Sequence, residues 1–266
     1  MRSLIIANWK MNPQSLKGAK LLLNSVKRGI RNVKKVEVVI CPPFPYLSSF
    51  KFPRSTPSSR RKGPGGRQVS SFKIGAQNCF WEKKGAFSGE ISPSMLKNLG
   101  CKYVIIGHSE RRRYLAETDE MINKKIRAAL RAKLFPIFCI GENREQRDRG
   151  KTFDFLKSQI LKGLEKIPKK EIKNIIFAYE PIWAVGTGKP CDFTETQIMG
   201  LFIRKTIGKL YTPRLAQKIR ILYGGSVNSQ NASDYIKEAK MDGLLIGAAS
   251  LDAKEFVKLI KNLTLK

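Results

Sequence analysis

Eight short apolar runs, separated by longer amphipathic stretches, constrain the fold of this chain more than any other feature. The runs are Leu4–Asn8, Val36–Cys41, Lys73–Asn78, Tyr103–Gly107, Phe135–Gly141, Asn174–Tyr179, Lys218–Leu222 and Gly243–Gly247. They are rich in β-branched residues, Leu and Phe and nearly free of charge, as strands covered on both faces should be. Helical signals fill most of the intervals. Ser92-Pro93 reads as a cap followed by proline in the first turn, with Gly100 closing that helix. Thr118–Lys133, Thr152–Lys166, Thr194–Leu210, Ala232–Lys240 and Ala253–Asn262 repeat the logic. Alternation of this kind fits a closed α/β barrel or a doubly wound sheet, and a length of 266 residues is compatible with one barrel domain.

The second unit is the weak one. Residues Lys51–Ser71 contain three prolines, three glycines, no acidic residue and no helical period. They read as a mobile, basic excursion that replaces most of a helix, with a stub of helix near Tyr46–Phe50.

The position of the polar residues favours the barrel. Asn8 and Lys10 follow the first run, and His108, Ser109 and Glu110 follow the fourth. Glu180 follows the sixth, Gly224-Gly225-Ser226 the seventh, and Gly247-Ala248 the eighth. In a β/α barrel the strand C-terminal ends converge on one face, where groups from different strands meet. A lone loop glutamate is usually just solvated, but Glu180 is followed by Pro181-Ile182-Trp183-Ala184-Val185-Gly186-Thr187-Gly188-Lys189, a stiff start and a glycine-containing end that suit a moving lid. A carboxylate beside such a lid loses water when the lid closes and gains proton affinity. A single histidine beside an apolar strand is commonly a satisfied core residue. His108 instead precedes Ser109-Glu110-Arg111, and a short helix opening there would keep the ring neutral as a hydrogen-bond donor. Lys10 either reaches solvent or faces an anion, to which it would contribute about 4 kcal/mol of gross attraction at about 4 Å and an effective dielectric of about 20. Gly186, Gly225-Ser226 and Gly247-Ala248 offer unhindered backbone N–H groups suited to a phosphate. No Walker loop or G-x-G-x-x-G motif points to a nucleotide.

Composition narrows the partners. Five cysteines without a C-x-x-C pair argue against a disulfide framework or zinc site, and a single histidine argues against a His-rich metal site, so no metal is expected. The first apolar run is too short for a signal peptide, and no run has the roughly 18 apolar residues of a membrane span; both point to the cytoplasm. The net charge of +30 raises nucleic acid or another polyanion as a partner, although the cations are spread through every expected helix, as solvated faces would be.

Seven segments carry a family resemblance. Asn8-Trp9-Lys10-Met11-Asn12, Gly75-Ala76-Gln77-Asn78, Gly85-Ala86-Phe87-Ser88-Gly89-Glu90-Ile91-Ser92, Gly107-His108-Ser109-Glu110-Arg111-Arg112, Cys139-Ile140-Gly141-Glu142, Tyr179–Ala184 with Gly186–Lys189, and Tyr223-Gly224-Gly225-Ser226-Val227 all resemble the triosephosphate isomerases, in that family's order and across nearly the whole chain outside Lys51–Ser71. The resemblance implies a single (β/α)8 TIM barrel over residues 1–266, homodimeric and without a cofactor. It also implies interconversion of dihydroxyacetone phosphate and D-glyceraldehyde 3-phosphate through an enediolate. By the same resemblance Glu180 is the base, neutral His108 polarises the carbonyl, Lys10 stabilises negative charge, Asn8 orients the substrate and Glu110 supports the site from behind. Gly186, Ser226, Gly247 and Ala248 hold the phosphate. Three departures stand out: Ala248 replaces the family's usual second glycine, Ser88 its usual threonine at the tip of the loop that enters a partner subunit, and Lys51–Ser71 most of the second helix.

Overall fold

A computed structural model describes residues 2–34, 36–50 and 72–264, so the basic excursion expected at Lys51–Ser71 lies outside the described residues. The strands are β1 (Ser3–Asn8), β2 (Val36–Cys41), β3 (Phe72–Ala76), β4 (Tyr103–Ile106), β5 (Phe135–Ile140), β6 (Ile176–Tyr179), β7 (Arg220–Tyr223) and β8 (Gly243–Ile246). All pair in parallel in chain order, and β1 pairs with β8, Leu4 opposite Gly243, to close the barrel. Each expected run therefore forms a strand. Two begin two residues late. Lys169–Asn174 winds into a 3-10 helix, so β6 begins at Ile176, and β7 begins at Arg220 and runs on to Tyr223.

Strand alternation divides the core in two. Leu4, Ile6, Val39, Cys41, Ile105, Ile137, Cys139, Ile176, Ala178, Leu222 and Leu245 fill the barrel interior. Their neighbours along the strands, such as Ile5, Ala7, Val38, Ile40, Phe138 and Phe177, pack outward against the helices. The interior is a core of buried side chains, as the layers of such barrels require.

The helices end where capping chemistry directs. Ser92 and Thr118 accept from the N–H groups of Met95 and Met121 at the starts of helices Pro93–Asn98 and Asp119–Arg131. Asp192 caps Phe193–Leu210 and Asp252 caps Ala253–Asn262. The stub of the second unit lies at Phe44–Leu47, slightly earlier than its expected place. No helix among the described residues is long and apolar enough to cross a membrane.

Near the strand N-terminal ends, Glu37 accepts from Lys73 Nζ at 2.6 Å and from the Tyr103 hydroxyl at 2.5 Å, with Arg220 at 3.6 Å. Burial works to raise its carboxyl, but the bonds from Lys73 and Tyr103 and the charges of Lys73 and Arg220 outweigh burial and hold it below the usual range. The opposite end of the barrel carries the polar residues singled out in the sequence.

Candidate functional site

Asn8 ends β1, and its side-chain oxygen accepts from the Lys10 N–H at 3.1 Å. That turn places Lys10 at φ +54°, in the left-handed region unusual for a side-chain-bearing residue. Gln77 holds it there, donating to the carbonyls of Lys10 at 2.8 Å and Cys41 at 2.9 Å. Lys10 Nζ meets Glu110 Oε1 at 2.5 Å. Glu110 Oε2 lies 3.7 Å from His108 Nδ1. Glu110 thus pairs with Lys10 and lies beside the His108 ring.

His108 is the N-cap of the short helix Ser109–Tyr114, and its Nδ1 accepts from the Glu110 N–H at 3.3 Å. An accepting Nδ1 carries no proton, so the neutral ring bears it on Nε2, where the imidazole can donate. Glu180 lies on the other side. It follows β6 directly, is 2% exposed, and has Oε1 at 3.5 Å from His108 Nε2. Its Oε2 accepts from the Ser109 N–H at 3.0 Å, whereas buried Oε1 has no hydrogen-bond partner. Two glycines make room for it. A Cβ on Gly141 would lie 1.8 Å from the Glu180 carbonyl oxygen, and one on Gly224 would lie 2.8 Å from its Cγ. Cys139 packs beneath; burial, then the Glu180 carboxylate, push its thiol well up, so it stays a protonated, apolar floor.

The lid is fixed at both ends. Ile182–Ala184 form a 3-10 turn, and the Trp183 indole donates to Glu142 Oε1 at 2.8 Å. The Arg147 guanidinium sits over that ring at 4.4 Å and pairs with Glu195. Burial raises the Glu142 carboxyl above its usual range, against the bonds it receives from Trp183 and Tyr179. At the far end the Cys191 N–H donates to the Tyr223 hydroxyl at 3.0 Å, while Ser226 Oγ donates to the carbonyl of Ala184, at the close of the first turn, at 2.7 Å. Gly186 and Gly188, at φ +71° and +73°, bend the span between.

A cavity of about 320 Å³ opens among these elements, lined by Asn8, Lys10, His108, Gly186, Ser226, Gly247 and Ala248. Every site residue expected from the sequence faces it except Glu180, which lies beneath its floor beside His108, and Glu110, which reaches it through Lys10. Ala248 opens a 3-10 turn and is not among the residues with positive φ, so its side chain imposes no backbone strain there. The residues given no role in the sequence reading are those that fix others: Gln77, Ser109, which stands out only for its place past the fourth run, and Glu142, Arg147 and Tyr223 around residues 181–189. Most lie inside the quoted motifs, which was the only signal available, since each acts on a partner distant in sequence.

The family model described as triosephosphate isomerase matches residues 3–263. The chain is 44% identical over 263 residues to the triosephosphate isomerase of Dictyoglomus thermophilum, covering 98% of this chain and 99% of that one. It is 45% identical over 261 residues to that of Alkaliphilus oremlandii, with 98% and 99% covered. The crystal structure of triosephosphate isomerase from Bartonella henselae superposes with a TM-score of 0.81 at 34% identity, with both chains covered in full.

Proposed function

The chain belongs to the triosephosphate isomerase family, and from that premise we propose how its own residues carry out the reaction. The reaction itself, an intramolecular oxidoreduction of glycolysis and gluconeogenesis, interconverts dihydroxyacetone phosphate and D-glyceraldehyde 3-phosphate. The observation that carries the assignment of roles is the meeting of a buried, unpartnered carboxylate oxygen and a neutral imidazole donor, Glu180 Oε1 and His108 Nε2, 3.5 Å apart beside a cavity lined by Lys10.

Glu180 Oε1 takes the proton from one substrate carbon and returns it to the next. His108 donates from Nε2 to the carbonyl oxygen and moves protons between the two oxygens of the enediolate. Lys10 stabilises the negative charge that develops, held in its turn by Asn8 and Gln77 and aimed by Glu110. Preorganised donors of this kind lower the barrier because they need no reorganisation when charge appears. The phosphate rests among the N–H groups of Gly186, Gly247 and Ala248 and the Ser226 hydroxyl. Closure of the lid around it excludes water, which strengthens each of these interactions and limits loss of phosphate from the intermediate. The donor set is complete for proton transfer, so no cofactor or metal enters this reading.

The assembly we assign is a homodimer in the cytoplasm. Exposed apolar side chains at the site end, Met11 at 82% and Phe87 at 44%, support the dimer, with Phe87 held out on a loop shaped by Gly85 and Gly89. Five buried free thiols support a reducing compartment. The test of the mechanism is a coupled assay with glyceraldehyde 3-phosphate. Glu180→Gln is expected to lower kcat by about 10²–10⁴-fold or more; turnover near wild type would remove Glu180 from the role of base.

A further inference from the structure

The two ends of the barrel differ in charge. At the site end, acids and bases alternate along the loops: Glu82, Lys83, Lys84 and Glu90 after β3, and Glu142, Arg144, Glu145, Arg147, Asp148 and Arg149 after β5. Parallel topology places the helix-to-strand turns at the opposite end, and among the described residues cations dominate most of them, the turn before β8, with Glu238 and Asp242 beside Lys240, being the exception. Arg31 and Lys34 precede β2, Lys102 precedes β4, Lys133 precedes β5, and Arg214 and Lys218 precede β7, with no acidic residue in any of these turns. The turn before β6 carries Lys166, Lys169, Lys170 and Lys173 against Glu165 and Glu171. Of all these cations only Lys166 makes an ion pair among the described residues, with Glu165 at 3.5 Å.

Helix electrostatics explains part of this excess, since cations near a helix C-terminus complement its dipole. It does not explain Lys169 and Lys170, which open a 3-10 helix at the end where a cation is disfavoured. Nor does it explain Lys34 and Lys218, which stand just ahead of strands. Lys133, Lys166 and Lys240 take left-handed backbone conformations, at φ +57°, +57° and +55°, at positions where helices usually exit through glycine. Burial, followed by the nearby charges of Lys102 and Lys133, pushes Lys97 below its ordinary value.

Two features give this basic end a shape. Arg28, Arg31 and Lys34, with Lys261 from the neighbouring helix, line a groove of about 330 Å³ that has no acidic side chain in its walls. Across the same end Phe135, 38% exposed, opens β5 between Lys133 and Lys102, whose carbonyl accepts its N–H at 2.8 Å, with its ring tilted against Tyr103 at 5.5 Å. We infer that the strand N-terminal end of the barrel is a docking surface for single-stranded RNA, with a backbone phosphate in the Arg28–Arg31–Lys34–Lys261 groove and a base stacked on Phe135. Guanidinium groups suit a phosphate in a recess, and an aromatic face set among lysines suits an unpaired base. A bilayer is a plane; it would touch the rim cations and leave the groove unfilled.

The test is fluorescence anisotropy of a labelled uridine-rich oligoribonucleotide with the full chain, over about 50–300 mM KCl. Affinity is expected to fall steeply with salt, by a slope of about −0.7 per phosphate neutralised. The combined variant R28Q/R31Q/K34Q/K261Q is expected to bind at least tenfold more weakly, with a shallower slope and unchanged isomerase kcat/KM as the check on folding. Phe135→Leu keeps the apolar packing and is expected to bind about fivefold more weakly. The charge-matched variant R113Q/R149Q/K151Q/K157Q, altered away from this end, should bind like the parent. Equal losses in the two combined variants would show diffuse charge and overturn the docking surface, as would no binding at physiological salt. Co-sedimentation with phosphatidylglycerol vesicles at a salt concentration that releases the RNA would assign the face to lipid instead.

Discussion

At the scale of single residues, Ala248 is the departure from the family pattern with the clearest physical consequence. Alanine would harm the site only if its backbone had to be left-handed, and it is not. Ala248→Gly is therefore expected to leave KM for triose phosphate within about twofold while lowering stability by roughly 0.5–1 kcal/mol through the greater freedom of the unfolded chain, the first read from steady-state kinetics and the second from thermal unfolding. Lys10 shows the opposite case, a side-chain-bearing residue kept in a left-handed turn by Asn8 and Gln77. The proposed chemical residues could be picked out of the sequence because, taken together, they stand just past the ends of different strands, although each alone reads as an ordinary solvated group. The roles of Gln77 and Ser109 were not legible. Gln77 acts through two carbonyls and Ser109 through its own backbone N–H, and neither leaves a trace in residue type.

At the scale of elements, legibility followed burial. The eight strands showed as apolar runs because both faces are covered, one by the barrel interior and one by helices. Short helices left no period to read. Arg144–Asp148 announces itself only by the capping box of Asn143 and Gln146, and Pro213–Ala216 only by Thr212 before a proline. The Glu37 cluster, drawn from β2, β3, β4 and β7, was not legible at all, since a charged residue inside a strand reads simply as a break in the run. Its carboxyl is held below the usual range in the fold, so it contributes stability above the ordinary carboxylate pKa, lost as pH falls through the lowered value. Glu37→Gln is expected to cost about 1–3 kcal/mol at neutral pH, a difference from the parent that shrinks in strong acid. Chemical denaturation of both proteins across pH measures it; a constant difference from neutral pH to strong acid would contradict the pairing.

At the scale of the whole molecule, the two ends of the barrel differ: the proposed catalytic groups gather at the strand C-terminal end and an excess of cations at the other. Net charge read from the sequence could not reveal this, because helix residues close in the chain point to both ends in the fold. The proposed dimer belongs to the site end. Phe87→Glu is expected to shift the mass from twice the 30.1 kDa chain toward the single chain in analytical ultracentrifugation, with activity falling in step. The central claim remains that one carboxylate moves a proton between neighbouring carbons of a triose phosphate. Dihydroxyacetone phosphate incubated with the protein in deuterium oxide, followed by proton NMR, tests it most directly. The account predicts carbon-bound deuterium in substrate and product with the parent protein, and exchange slowed by at least about 10²-fold with Glu180→Gln under conditions where the variant still binds a phosphate analogue. Exchange at the parental rate in Glu180→Gln would contradict it.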